Sequence, residues 1–122
     1  MSTHRYVILW HHDVGEPHYD LMFETYARSD LATWRSPRWP IEEAVDLVRL
    51  KDHRRFYLEY VGDLSDRRGR VDRVAGGDCE LEIGEGGVWD VRLINGGPPT
   101  RLRIRQIEGE RWVAEPVDGP VW

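Results

Sequence analysis

Apolar residues recur at every second position along most of the chain. From His4 to His11 the alternation sets Tyr6, Ile8 and Trp10 against Val7 and Leu9, so both faces of the segment are apolar, as expected of a well-covered strand. From His18 to Glu24, Tyr19, Leu21 and Phe23 alternate with His18, Asp20, Met22 and Glu24, and a period of two sends the two sets to opposite faces of a second strand. Gly15 and Pro17 lie between these segments and predict a turn joining them as a hairpin. A third strand is expected over Leu31–Arg35, ended by Pro37 and Pro40, because proline cannot donate to a central ladder.

The pattern then changes. Ile41, Ala44, Val45 and Val48 fall at spacings of three and four, with Pro40 near the start and Glu42 and Glu43 in the first turn; this predicts one short helix near residues 41–50. Alternation returns in KDHRRFYLEYVG, where Arg54, Phe56, Leu58 and Tyr60 share one face and His53, Arg55, Tyr57 and Glu59 the other. Asp63–Arg68 reads as an exposed loop. Farther on, glycine pairs at 76–77, 86–87 and 96–97 punctuate short strands carrying Cys79, Leu81 and Ile83, then Trp89, Val91 and Leu93. Arg101, Arg103 and Arg105 alternate with Leu102 and Ile104 before a turn at Glu108 and Gly109 and a last apolar segment at Trp112 and Ala114. No flanking sequence repeats with the glycine pairs, so this is not an internal repeat. The expected fold is mainly β, a meandering antiparallel sheet or compact antiparallel β-barrel with one short helix, in a single domain over residues 1–122.

Composition adds bounds. With 122 residues, 40% of them hydrophobic and 32% charged, the chain suits one core. No apolar run approaches the roughly 20 residues that span a bilayer, and MSTHRYV lacks a signal-peptide pattern, so a cytoplasmic protein with no membrane association is expected. A lone Cys79 cannot form an internal disulfide. The net charge of -5 argues against coating nucleic acid by bulk electrostatics. Between Arg49 and Arg73, however, eight basic residues face five acidic ones, a local excess able to meet a phosphate.

Two sets of residues carry candidate chemistry. His18 and Asp20 share a strand face, and His12, six residues earlier across the turn, returns toward the same point; two imidazoles and a carboxylate are a common ligand set for a divalent metal. On the alternating segment at 53–60, His53, Arg55 and Tyr57 place a base, a cation and a phenol in one row.

In their order, His12, His18-Tyr19-Asp20-Leu21, Glu24, Leu31, Trp34, Pro37, a basic residue at Arg38, Pro40, Asp52-His53 and Tyr57 resemble the 3'-phosphoesterase module of bacterial DNA ligase D, in detail over about residues 5 to 62. The resemblance implies a β-barrel with a manganese-dependent site, zinc or cobalt being alternatives. Such modules trim the 3' ends of broken DNA in repair, removing a terminal ribonucleoside and then the 3'-phosphate. It implies His12, His18 and Asp20 as metal ligands, His53 as a second catalytic histidine and Tyr57 in the phosphate pocket. The implied partners are a nucleic-acid 3' end or another phosphate ester, and a repair ligase or polymerase made as a separate chain. Two basic positions of the family are apolar here, Met22 and Val45, and its glycine-rich segment is replaced by SDRRGRVDR. Arg55, on the predicted face of His53 and Tyr57, is the candidate substitute for the lost phosphate-binding Arg. The loss at Met22 also admits a noncatalytic phosphate- or DNA-end-binding module. Two histidines and a carboxylate further satisfy the ligand set of a non-haem iron enzyme.

Overall fold

The alternating segments become strands in a computed structural model, which describes residues 3–94 and 101–117. In chain order they are β1 (His4–His12), β2 (His18–Glu24), β3 (Leu31–Ser36), β4 (Val45–His53), β5 (Gly62–Asp63), β6 (Arg70–Ile83), β7 (Trp89–Leu93), β8 (Arg101–Glu108) and β9 (Arg111–Pro116). Neighbours run β1-β2-β3-β4-β9-β8-β7-β6, and β6 pairs back onto β1. Eight antiparallel strands thus close into the expected barrel, and closure leaves none of the eight with a bare row of backbone donors and acceptors. β5 is a short addition to the start of β6. Among the described residues no helix is long and apolar enough to cross a membrane.

Inward-pointing residues build the main core. Tyr6 and Ile8 of β1, Leu21 and Phe23 of β2, and Trp34 of β3 meet Val91, Leu102 and Ile104 from the far wall, with Trp89 and Trp112 set edge-on against Trp34 at ring separations of 4.9 and 5.3 Å. Edge-to-face packing adds to what burial alone contributes. A second, smaller apolar cluster lies outside the barrel wall, where Val7, Leu9, Met22, Leu31 and Val71 are covered by Leu58. This cover explains why β1 is apolar on both faces: Tyr6, Val7, Ile8 and Leu9 are all buried.

Two local expectations are corrected. No helix forms near residues 41–50. Residues from Val45 onward are strand β4, with Val45 and Leu47 buried and Asp46 and Val48 exposed. Among the described residues β4 is the only link between β3 and β9, so a helix there would open two strand edges. The helical spacing of Ile41 with Val45 arose because Ile41 is buried against the same core from the preceding coil. An isolated helix of this length is marginal, and Ile41, Val45 and Val48 are β-branched. The strand expected through Tyr60 ends instead at His53, and Arg55–Leu58 form a 3₁₀ turn. The turn brings Leu58 down onto the outer cluster, a position that the period of two would have denied it.

Farther along the chain, the Gly76–Gly77 pair lies inside β6, whereas Gly86–Gly87 occupy the turn before β7; Gly96–Gly97 fall outside the described residues. The arginine row of β8 stands on the outer face as expected, with Arg103 3.4 Å from Asp90 and Arg105 3.8 Å from Glu115.

The strand assignment of 45–53 has a direct check. Leu47→Ala removes an inward side chain and should cost about 2–5 kcal/mol, whereas Val48→Thr, on the outer face, should stay within about 0.5 kcal/mol of wild type. Urea unfolding of the two variants reads the difference; equal costs would argue for a helix.

Candidate metal centre

Strand register decides which side chains meet. β1 and β2 pair so that His11 stands opposite His18 and Leu9 opposite Asp20, and β3 places Arg35 opposite Asp20. Directly opposed residues share a face, here the outer one. The potential ligand atoms of His11, His18 and Asp20 lie within 4.8 Å of one another. His11 Nδ1 is 3.6 Å from Asp20 Oδ2, and His18 Nε2 is 3.2 Å from Asp20 Oδ1. His18 and Asp20 are buried, and His11 is half-buried.

The far nitrogen of each imidazole is tied to backbone. His11 Nε2 is 2.6 Å from the carbonyl of Arg68, and His18 Nδ1 is 2.9 Å from the carbonyl of Glu16. A carbonyl only accepts, so these nitrogens carry the hydrogens, and in the neutral rings His11 Nδ1 and His18 Nε2 turn lone pairs toward Asp20. Gly69 sets the carbonyl of Arg68 in place. Its φ is +90°, and a Cβ there would lie 2.4 Å from the His12 carbonyl oxygen, so only glycine lets the chain pass this close under the end of β1.

Asp20 Oδ1 is buried and makes no hydrogen bond among the described residues. A buried carboxylate with one ring lone pair turned toward each of its oxygens is unfavourable until a cation, or protons on the rings, comes between them. The residues therefore fit a divalent ion with nitrogen and oxygen preferences, and a carbonyl behind each imidazole is the usual means of fixing a ligating ring. Without an ion, protonation serves. The hydrogen bond to Asp20 raises the His11 pKa above its usual value, against the cost of burial. Burial works against ionising Asp20, yet hydrogen bonds from His11 and His18 outweigh it and hold the carboxyl below its usual range.

His12 is not part of this cluster. As the next residue on β1 it points to the opposite face, where its Nε2 lies 2.5 Å from Asp72 Oδ2 and Arg70 holds the same carboxylate at 3.2 Å. The sequence spacing had placed His12 with His18 and Asp20; the hairpin register instead pairs positions 11 and 18 and brings His11 to them. The adjacent His11 was the available signal; with both faces of β1 apolar, nothing in the alternation told which histidine faced Asp20.

The second predicted group stands apart from the first. His53 lies opposite Leu31, which lies opposite Glu24, at the other end of the same outer face. Glu24 is four residues beyond Asp20, roughly 13 Å along an extended strand. His53 stacks near Tyr57 with ring centres 5.8 Å apart, and its Nδ1 is 2.9 Å from the carbonyl of Lys51. Arg55 does not project between them toward a ligand. Its guanidinium donates to Glu24 Oε2 at 2.5 Å and to the Ser29 carbonyl at 3.2 Å. Burial of Glu24 is offset by this pair, which holds its carboxyl below the usual range. Met22, 1% exposed within the outer apolar cluster, fills the space between the two groups. Nothing in the sequence pointed to Arg35, to the Arg68 carbonyl or to Gly69, since each acts through register or backbone position.

No protein-family model matches the chain, and no curated protein matches it.

The arrangement predicts one manganese or zinc site. His11→Ala, His18→Ala and Asp20→Ala should each weaken binding by at least about tenfold, and His12→Ala by less than about twofold. Ligands must shed protons to bind, so affinity should fall as pH is lowered, and the raised pKa of His11 brings that loss in at a higher pH than for a free imidazole. Calorimetric titration of the four variants at two pH values checks both points; loss of binding in His12→Ala with His11→Ala intact would restore the spacing read from sequence.

Proposed function

We propose that the chain is a divalent-metal phosphoesterase acting on nucleic-acid 3' ends in DNA repair, with manganese held by His11, His18 and Asp20. The observation that carries the proposal is the pair of backbone-anchored imidazoles facing the carboxylate of buried Asp20, His18 against Oδ1 and His11 against Oδ2. These residues lie in the stretch whose residue order resembles the 3'-phosphoesterase module. A divalent ion at this point would polarise a phosphoryl oxygen and offset the charge that develops on it.

The chain's own residues supply position and charge. Asp20, whose carboxyl is held below its usual range, would provide the anionic ligand. The carbonyls of Arg68 and Glu16 hold the two rings, so that little ordering remains when the substrate arrives. His53 and Tyr57 stand at the Glu24 end of the face, and Glu24 is itself roughly 13 Å from Asp20 along β2; on this reading they contact the nucleotide strand leading to its end rather than the reacting phosphoryl group. Arg55 is a structural clamp. Its removal leaves the carboxylate of Glu24 buried without its cationic partner, held only by backbone N–H groups such as that of Arg5, and should cost about 1–3 kcal/mol of stability, with catalysis affected only as far as folding is.

One observation favours a second reading, a binding module without catalysis. Met22 is packed beneath Leu58 where the resembled family carries an arginine, and Arg55 is committed to Glu24.

The deciding experiment is phosphate release from 3'-phosphorylated and 3'-ribonucleotide-ended oligonucleotides. Manganese-dependent release by the wild type, lost in Asp20→Ala and on chelation but retained in Arg55→Ala at a temperature where that variant is folded, is the expected outcome. Tight oligonucleotide binding with no release at any manganese concentration would establish the binding module instead.

A further inference from the structure

We infer that Arg35 and the shallow hollow beside His18 form the pocket for the substrate's terminal phosphate, an inference that rests on the phosphoesterase reading above. A phosphate monoester brings up to two negative charges, and an ion that shares its charge with Asp20 leaves part of them unmatched. A second cation is needed close by. Met22 cannot supply it, Arg55 is held by Glu24 at 2.5 Å, Arg70 by Asp72 at 3.2 Å, and Arg73 donates to the Leu58 carbonyl at 3.0 Å.

Arg35 is differently placed. It is the cross-strand partner of Asp20, and Trp34 before it and Ser36 after it are both buried, which leaves Arg35 on the outer face with the cluster. Its charge reaches His11, where it works against protonation. A hollow of about 180 Å³ opens between Arg35 and His18, bounded by Pro17 and Pro37 with Glu16 and Asp46 at its rim. The only partner of the guanidinium among the described residues is Glu16, through its carbonyl at 3.4 Å and its carboxylate at 3.5 Å. Both contacts are long, and the Glu16 side chain is 87% exposed, so little holds Arg35 against a better anion. Arg35 thus stands on β3 beside Asp20, one strand over from β2 and two residues along from the position opposite Met22.

The rim carboxylates have a consequence. With Asp20, Glu16 and Asp46 against one guanidinium, the pocket repels a phosphate until a divalent ion is present. Phosphate binding is therefore conditional on the metal. Glu16 is a competitor for Arg35, and its neutralisation should strengthen binding.

Three measurements test this on the purified chain: manganese affinity, calorimetric binding of inorganic phosphate with and without manganese, and KM for a 3'-phosphorylated oligonucleotide. Arg35→Ala should leave manganese affinity within about twofold while weakening phosphate binding and raising KM by about ten- to a hundredfold. Arg35→Lys should recover only part of the loss, since an ammonium cannot match two phosphoryl oxygens at once. Glu16→Gln should improve both values by about two- to fivefold. If the wild type turns over and Arg35→Ala matches it in KM and phosphate affinity, the pocket is wrong and the phosphoesterase reading stands. If the wild type binds manganese and phosphate through Arg35 but releases nothing from oligonucleotides, the catalytic reading fails and the pocket stands. Absence of manganese binding, or phosphate binding that is equal without the metal, overturns the inference.

Discussion

Closure of the barrel through the pairing of β1 with β6 governs the rest of the molecule. β1 has a neighbour on each side, β2 and β6, and is buried on both faces along its middle. A strand held in this way cannot slip, because a shift of one residue would send each buried side chain to the opposite face. The same register that seats Tyr6 and Ile8 in the core therefore dictates that His11, and not His12, stands over His18 and Asp20. Strand β6 contributes again by beginning just after Gly69, the turn residue that brings the Arg68 carbonyl under His11.

The cluster is electrostatically unfinished. A buried carboxylate is costly unless it is paired and hydrogen-bonded, and Asp20 has one oxygen with no hydrogen bond among the described residues. The surrounding fold does nothing to relieve this by packing. It aims two imidazoles at the carboxylate and ties their far nitrogens to carbonyls. A barrel wall of paired strands is rigid enough to keep such an arrangement ready for a ligand, which a mobile loop is not.

Outside the barrel, the small cluster around Met22 and Leu58 separates two polar groups that the order of residues along the chain suggests should converge. Leu58 reaches Met22 because the chain leaves β4 at His53 and turns through Arg55–Leu58. Arg55 is drawn to Glu24 by the same turn. The outer face thus carries a histidine-carboxylate cluster with Arg35 at one end and a His53–Tyr57 pair at the other, with apolar packing between them.

The period of two was enough, without coordinates, to establish a chain of strands in an antiparallel meander, since it runs through much of the chain and needs no long-range contact; closure through the pairing of β1 with β6 came only from the tertiary structure. It also placed His18 and Asp20 on one face, because two residues of the same strand keep their relation in any register. The apparent helix at 41–50 misled because Ile41 and Val45 are both buried for separate reasons, one from a coil and one from a strand. What depended on relations between strands was decided only by the tertiary structure: the choice of His11 over His12, the position of Arg35 opposite Asp20, and the capture of Arg55 by Glu24 31 residues away. Alternation fixes which residues of one strand share a face, and only pairing across the sheet fixes which residues of two strands share a point.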